Sequence, residues 1–182
     1  MIEGTSALNI HVQNYFGNLF ASEVNHVDPA VLQNVQTEVT EQMNEMLLAP
    51  YTHDDVRKAV SSIGDLKAPG PDGLHAIFCK KFWHIIGDEI SQEVLFAINT
   101  RQIPAEWNDT SIVLIPKVDS PEQITQYRPI SLCNVMYKII SKMIDNRLKK
   151  ILPEIISPTH SAFVPVRLII DNVLVSYESF MR

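Results

Sequence analysis

The sequence predicts an α+β fold, mostly helical, with a single β-hairpin. Apolar residues recur at three- and four-residue spacing in several separate segments, the pattern of amphipathic helices. One β-branched run, Ser111-Ile112-Val113-Leu114-Ile115-Pro116, is followed by a turn and a second extended stretch. The breaks between segments carry the prolines and glycines expected of shaped loops. With 182 residues, 46% of them hydrophobic and 20% charged, the chain is long enough to bury a core.

The elements follow in order. Leu8, Val12, Tyr15, Phe16, Leu19 and Phe20 lie in helical register behind Thr5 and Ser6, which can cap. Asp28-Pro29 reads as an N-cap with Pro at the first helical position, starting a short second helix, and residues 22–50 are otherwise a polar connector. Thr52 and Asp55 have capping-box spacing ahead of Val56, Ala59, Val60 and Ile63, and Gly64 ends that helix. Lys67-Ala68-Pro69-Gly70-Pro71-Asp72-Gly73 cannot be regular structure, because two prolines fix φ and two glycines permit φ > 0. Two helices are expected next, over Leu74–Ile86 and Glu89–Thr100, the second with a stripe of Ile90, Val94, Leu95 and Ile98. Pro104 and Trp107 lead into the β-branched strand. A turn at Val118–Pro121 and a return strand over Tyr127–Leu132 make a hairpin that projects Lys117. Met136, Ile139, Ile140, Met143, Ile144, Leu148 and Ile151 form a helix over Asn134–Ile151 that Pro153 stops, and a last helix is expected over Leu168–Met181.

Several function classes fall away on composition. The longest apolar runs are far shorter than the ~20 residues that span a bilayer, so no membrane partner is expected. The N-terminus lacks a basic region before an apolar stretch, which argues against a secretory signal. Two unpaired cysteines, Cys79 and Cys133, suggest a reducing, intracellular setting, nuclear or cytoplasmic. The net charge of −6 argues against a polyanionic partner, yet its distribution tempers that. Residues 1–60 carry eight acids against Arg57 and Lys58, and the remainder is neutral. Within that remainder Lys138, Lys142, Arg147, Lys149 and Lys150 cluster against Asp145 alone, leaving a basic stripe possible on an amphipathic helix that would carry a charged solvent face anyway.

The chemistry-bearing residues are few. Asp54 and Asp55 are adjacent, so on a helix they point about 100° apart, and a first-turn position explains them better than paired metal ligation. His75, Cys79 and His84 lack the fourth ligand of a structural zinc site. The Lys67–Gly73 loop lacks the Gly-Lys-Ser/Thr ending of a P-loop. Lys117 and Arg128 are the most suggestive pair, since one hairpin can carry both a point-charge ammonium and a planar guanidinium toward one triphosphate. Composition alone nonetheless favours two solvated surface charges.

Five ordered motifs shift that balance: Lys67-Ala-Pro-Gly-Pro-Asp-Gly73, Leu114-Ile-Pro-Lys117, Tyr127-Arg-Pro-Ile-Ser-Leu132, Tyr137-Lys-Ile-Ile-Ser-Lys142, and Ser161-Ala-Phe-Val-Pro-Val-Arg167 with Asp171-Asn172. Together they resemble the reverse transcriptase of plant non-LTR, LINE-type retrotransposons over residues 51–182. Residues 1–50 resemble, more loosely, the linker before such a polymerase. The resemblance implies a partial right-hand polymerase fold, comprising the fingers and the start of the palm. It implies nucleotide binding by Lys117 and Arg128, and template binding by Lys67, Phe163 and Arg167. Its partners in the full enzyme would be an RNA template, a DNA primer, a dNTP and the remainder of the palm and thumb.

Three departures from the family pattern stand out. His160 replaces Gln and Val166 replaces Gly, where a β-branched residue restricts the backbone. The first catalytic aspartate of the family would lie beyond Arg182. Polymerase chemistry of this kind uses Mg²⁺ held by converging carboxylates. The chain is therefore expected to bind no catalytic metal and to be inactive alone, as a fragment of an RNA-directed DNA polymerase. The alternatives are a non-catalytic RNA-binding or interaction remnant of a retroelement, or a pseudogene product.

Overall fold

A computed structural model describes residues 5–21 and 38–157. The second helix expected at Asp28-Pro29, the template-binding candidates Phe163 and Arg167, the departures at His160 and Val166, and the helix expected over Leu168–Met181 lie outside the described residues. In chain order the elements are α1 (Thr5–Phe20), α2 (Glu41–Leu48), α3 (His53–Ser62), α4 (Ala76–Lys81), α5 (Trp83–Thr100), α6 (Ala105–Asn108), β1 (Thr110–Pro116), a 3₁₀ turn (Ile124–Gln126), β2 (Tyr127–Cys133), α7 (Val135–Leu148) and α8 (Leu152–Ile155). β1 and β2 form a two-stranded sheet. The fold is thus mostly helical with one hairpin, as expected.

The chain divides into two compact units. The larger comprises Thr37–Val113 and Ile130–Arg182, and its core is helical. Val56, Ala59, Val60 and Ile63 of α3 and its end pack against Ile139, Ile140 and Met143 of α7, and Ala76, Cys79, Val94 and Ala97 of α4 and α5 complete the cluster. The smaller unit comprises Met1–Gln36 and Leu114–Pro129, so it holds α1 and the tip of the hairpin. Within it Phe16 is buried and stacks on Phe20 with ring centroids 6.0 Å apart.

The capping box that opens α3 forms as the spacing predicts. Asp55 Oδ2 accepts from the Thr52 amide and hydroxyl, both at 2.9 Å, while Thr52 Oγ1 accepts from the Asp55 amide at 3.3 Å. Burial pushes the Asp55 carboxyl up, but these bonds to Thr52, with the charges of Arg147 and Lys58, hold it below its ordinary value. Asp54 pairs with Lys58 at 2.5 Å on the exposed face. The adjacent aspartates are therefore helix-start residues, not paired ligands.

Three boundaries differ from expectation. The expected break near Gly87 is absent: α5 runs unbroken from Trp83 to Thr100, and the interruption falls at Phe82, with φ −101° and ψ 15°. Gly87 is buried because the Trp83 indole lies on it; a Cβ there would sit 2.7 Å from the ring. The glycine serves close packing rather than termination. The connector contains a helix, α2, whose Thr40 side chain accepts from the Met43 amide at 3.2 Å. Finally, the long helix ends at Leu148, before Pro153, which instead occupies the first turn of α8, where its fixed φ is tolerated.

Helix α5 ends on Arg101 at φ 59°, the one non-glycine residue with positive φ among those described. That position favours glycine, because a Cβ crowds the carbonyl in left-handed backbone. Arg101→Gly is expected to stabilise the chain by about 0.5–1 kcal/mol, read as a higher midpoint in thermal unfolding; a lower midpoint would show that Arg101 makes a compensating contact.

Candidate functional site

The two hairpin candidates sit together in the smaller unit. Lys117 follows β1, and its amide donates to the Gln126 carbonyl at 2.7 Å, closing the loop that separates the strands. Its ammonium donates to the Thr125 carbonyl at 2.7 Å. Exposure alternates along Tyr127–Ile130, so Arg128 points to solvent, opposite in sense to its half-buried neighbours Tyr127 and Pro129. Arg128 has no ion-pair partner among the described residues. The hairpin therefore presents two cations on either side of one turn, one anchored and one unengaged.

Lys67 lies in the larger unit. Its amide donates to the Gly64 carbonyl at 3.2 Å, and its aliphatic chain runs over Gly64. The side chain borders an open, mostly apolar groove of about 580 Å³ between the end of α3, the Pro-Gly loop, β2 and α7, with Lys138 and Lys142 also on its wall.

The Pro-Gly loop itself is built into the structure more tightly than a ligand-binding loop need be. Asp72 Oδ2 accepts from the Val135 amide at 2.8 Å, so a carboxylate sixty-three residues upstream supplies the cap at the start of α7. Asn134, only 6% exposed, has its own side chain engaged elsewhere. Its Oδ1 accepts from the Asp72 amide at 3.0 Å, and its Nδ2 donates to the Glu106 carbonyl at 2.5 Å. Lys138 adds a bond to the Ala68 carbonyl at 2.6 Å, and His75 Nδ1 lies 3.1 Å from the Lys67 carbonyl oxygen. Asp72 and Asn134 gave no sequence signal of this pairing beyond Asp-Gly turn chemistry and an Asn before a helix.

The basic helix resolves largely into structural contacts. Lys142 and Lys149 both grip Asp145, at 2.6 and 2.8 Å. Arg147 donates to the carbonyls of Leu47, Ala49 and Pro50 and lies 3.5 Å from the centroid of the Tyr51 ring. Lys138 bonds to the Pro-Gly loop, so four of the five cations are engaged within the chain, Lys138 and Arg147 by tertiary contacts and Lys142 and Lys149 by local pairs with Asp145. The basic stripe is accordingly not a continuous free surface on the described residues.

The bonds from Lys142 and Lys149 hold the Asp145 carboxyl below its ordinary value of 3.8. A group whose folded value is depressed contributes stability that is present above the unfolded value and is lost as pH falls through the folded one. The Asp55 carboxyl shifts the same way. The thermal midpoint is therefore expected to be level at mild pH and to fall below about pH 4, with a shallower fall in Asp145→Asn. Equal acid sensitivity in that variant would remove Asp145 from the account.

His75, Cys79 and His84 do not converge. Cys79 is buried in the core, and burial pushes its thiol up, which suits an inert core residue. Among the described residues no three His, Cys, Asp or Glu side chains come together as metal ligands. These residues do not fit a pair of catalytic divalent ions. No described helix is long and apolar enough to cross a membrane.

No family model matches the chain. Over 173 residues, 94% of its length, it is 32% identical to the "Transposon TX1 uncharacterized 149 kDa protein" of Xenopus laevis, covering 13% of that protein. Over 102 residues, 55% of the chain, it is 28% identical to the "Putative 115 kDa protein in type-1 retrotransposable element R1DM" of Drosophila melanogaster, covering 10% of it. Over 106 residues, 56% of the chain, it is 28% identical to the "RNA-directed DNA polymerase from mobile element jockey" of the same fly, covering 11%. The chain thus spans roughly a tenth of the length of each relative. Its relatives are proteins of mobile elements, one of them an RNA-directed DNA polymerase.

Proposed function

We propose that the chain is a segment of the RNA-directed DNA polymerase of a non-LTR, LINE-type retrotransposon, of the kind found in plants. Residues 51–182 supply fingers and the start of the palm of a right-hand polymerase fold, and residues 1–50 a linker. The observation that carries this reading is similarity over almost the whole chain to a transposon protein, joined by similarity to a named polymerase. The hairpin adds a chemical reason: Lys117 and Arg128 are both exposed beside one turn and suit an incoming nucleotide's triphosphate. Lys67, Phe163 and Arg167 are the proposed template contacts. Mg²⁺, primer, RNA template and the rest of the palm and thumb belong to the full enzyme, and primer extension by this chain alone is expected at background.

Titration of the chain with a deoxynucleoside triphosphate tests the grip. Lys117→Ala and Arg128→Ala are each expected to weaken binding by roughly tenfold, the scale of one lost charge-assisted hydrogen bond. Unchanged binding in both variants overturns the assignment.

A further inference from the structure

The hairpin that carries Lys117 is organised by one uncharged side chain. Gln126 Oε1 accepts from the backbone amides of Glu122 and Gln123, at 2.6 and 2.9 Å, and the Gln126 amide donates back to the Gln123 carbonyl at 3.0 Å. The Gln123 side chain also accepts from the Gln126 amide, which closes the 3₁₀ turn as a reciprocal capping box. The turn fixes two carbonyls that face Lys117. The Gln126 carbonyl takes the Lys117 amide and the Thr125 carbonyl takes its ammonium, each at 2.7 Å. An ammonium has three N–H donors. One is committed to Thr125, so two remain for a ligand, on a side chain whose rotamer freedom is already restricted.

From this geometry we infer that Gln126 is a positioning residue for nucleotide binding: its carboxamide sets the turn whose carbonyls hold Lys117 ready for a polyanion. The inference rests on the proposed role of Lys117. Lysine loses considerable rotamer freedom when it is immobilised. A loop that immobilises it beforehand moves that loss from the binding step to folding. Gln126 touches no ligand in this scheme and acts through Lys117 alone.

The test is a double-mutant cycle in the full 182-residue chain, with inorganic tripolyphosphate as the probe and calorimetric titration as the readout. Gln126→Ala is expected to weaken binding by about fivefold, the scale of one side chain's ordering, with the thermal midpoint unchanged. Gln126→Met, which keeps the length but not the acceptor, is expected to match it. In a Lys117→Ala background, replacing Gln126 is expected to have no further effect, because the residue it positions is gone. A general loss of structure would lower the thermal midpoint and weaken binding in both backgrounds; either result overturns the inference. Full affinity in Gln126→Ala also overturns it. If Lys117→Ala itself binds tripolyphosphate as well as the parent chain, the proposed grip fails, a result distinct from failure of the positioning role alone.

Discussion

Gly70→Ala is expected to destabilise the larger unit by about 2–4 kcal/mol, at or above the upper end for an overpacked site. A Cβ on Gly70 would sit 2.5 Å from the Asn134 amide nitrogen and 2.6 Å from its Oδ1, and would press on the Cys133 carbonyl carbon as well. Most of what it meets is backbone, which cannot swing away as a side chain can. Relief would require the loop to lift off α7. That would break the Asp72 cap on Val135 and the bond between Asn134 and the Asp72 amide. Gly73, three residues along, supplies an internal comparison. It has φ 68° but nothing within 4 Å of where a Cβ would lie. Gly73→Ala therefore carries only a left-handed backbone penalty of about 1–2 kcal/mol. Equilibrium denaturation of both variants should rank Gly70→Ala as the more damaging, and the reverse order would refute the close-approach explanation.

Arg147→Ala is expected to cost about 2–4 kcal/mol, since hydrogen bonds from a charged donor contribute more than neutral ones and the Tyr51 face adds a cation–π contact. The guanidinium gathers the carbonyls of Leu47, Ala49 and Pro50 at the end of α2, groups that a helix terminus otherwise leaves to water. No residue of α2 is buried, so its attachment depends heavily on this one side chain. Arg147→Lys should recover little, because an ammonium lacks the planar fork and the stacking face. Limited proteolysis supplies a local readout: cleavage within 41–50 should accelerate in both variants while the α3 and α7 region stays protected. Uniform protection would mean that α2 is held by something other than Arg147.

Much of the architecture could be read from local pattern. The capping box at Thr52, the apolar faces of α3 and α7, and the β-branched run of β1 are properties of consecutive residues, and each formed where its spacing indicated. The misses share a cause. The spacing predicts a boundary between Ile86 and Glu89 because it does not mark the packing of the Trp83 indole on Gly87. Residues 41–48 looked like connector because Arg147, about a hundred residues later, supplies the carbonyl partners at that helix's end. Lys138 and Arg147 read as part of a possible polyanion surface because their acceptors, among them Ala68, Leu47 and Ala49, are main-chain carbonyls that sequence does not mark.

The same division holds for the candidate site. Sequence by itself determined that a hairpin exists, that Lys117 and Arg128 flank its turn, and that Lys67 through Gly73 must be a shaped loop, because proline, glycine and β-branching act on the nearest dihedral angles. Tertiary structure decided how those features are engaged within the chain. It turned the Pro-Gly loop into the cap of α7 and committed Lys138 and Arg147 to distant main-chain carbonyls. Hydrogen-bond partners sixty to a hundred residues apart are chosen by packing, and no local spacing encodes them.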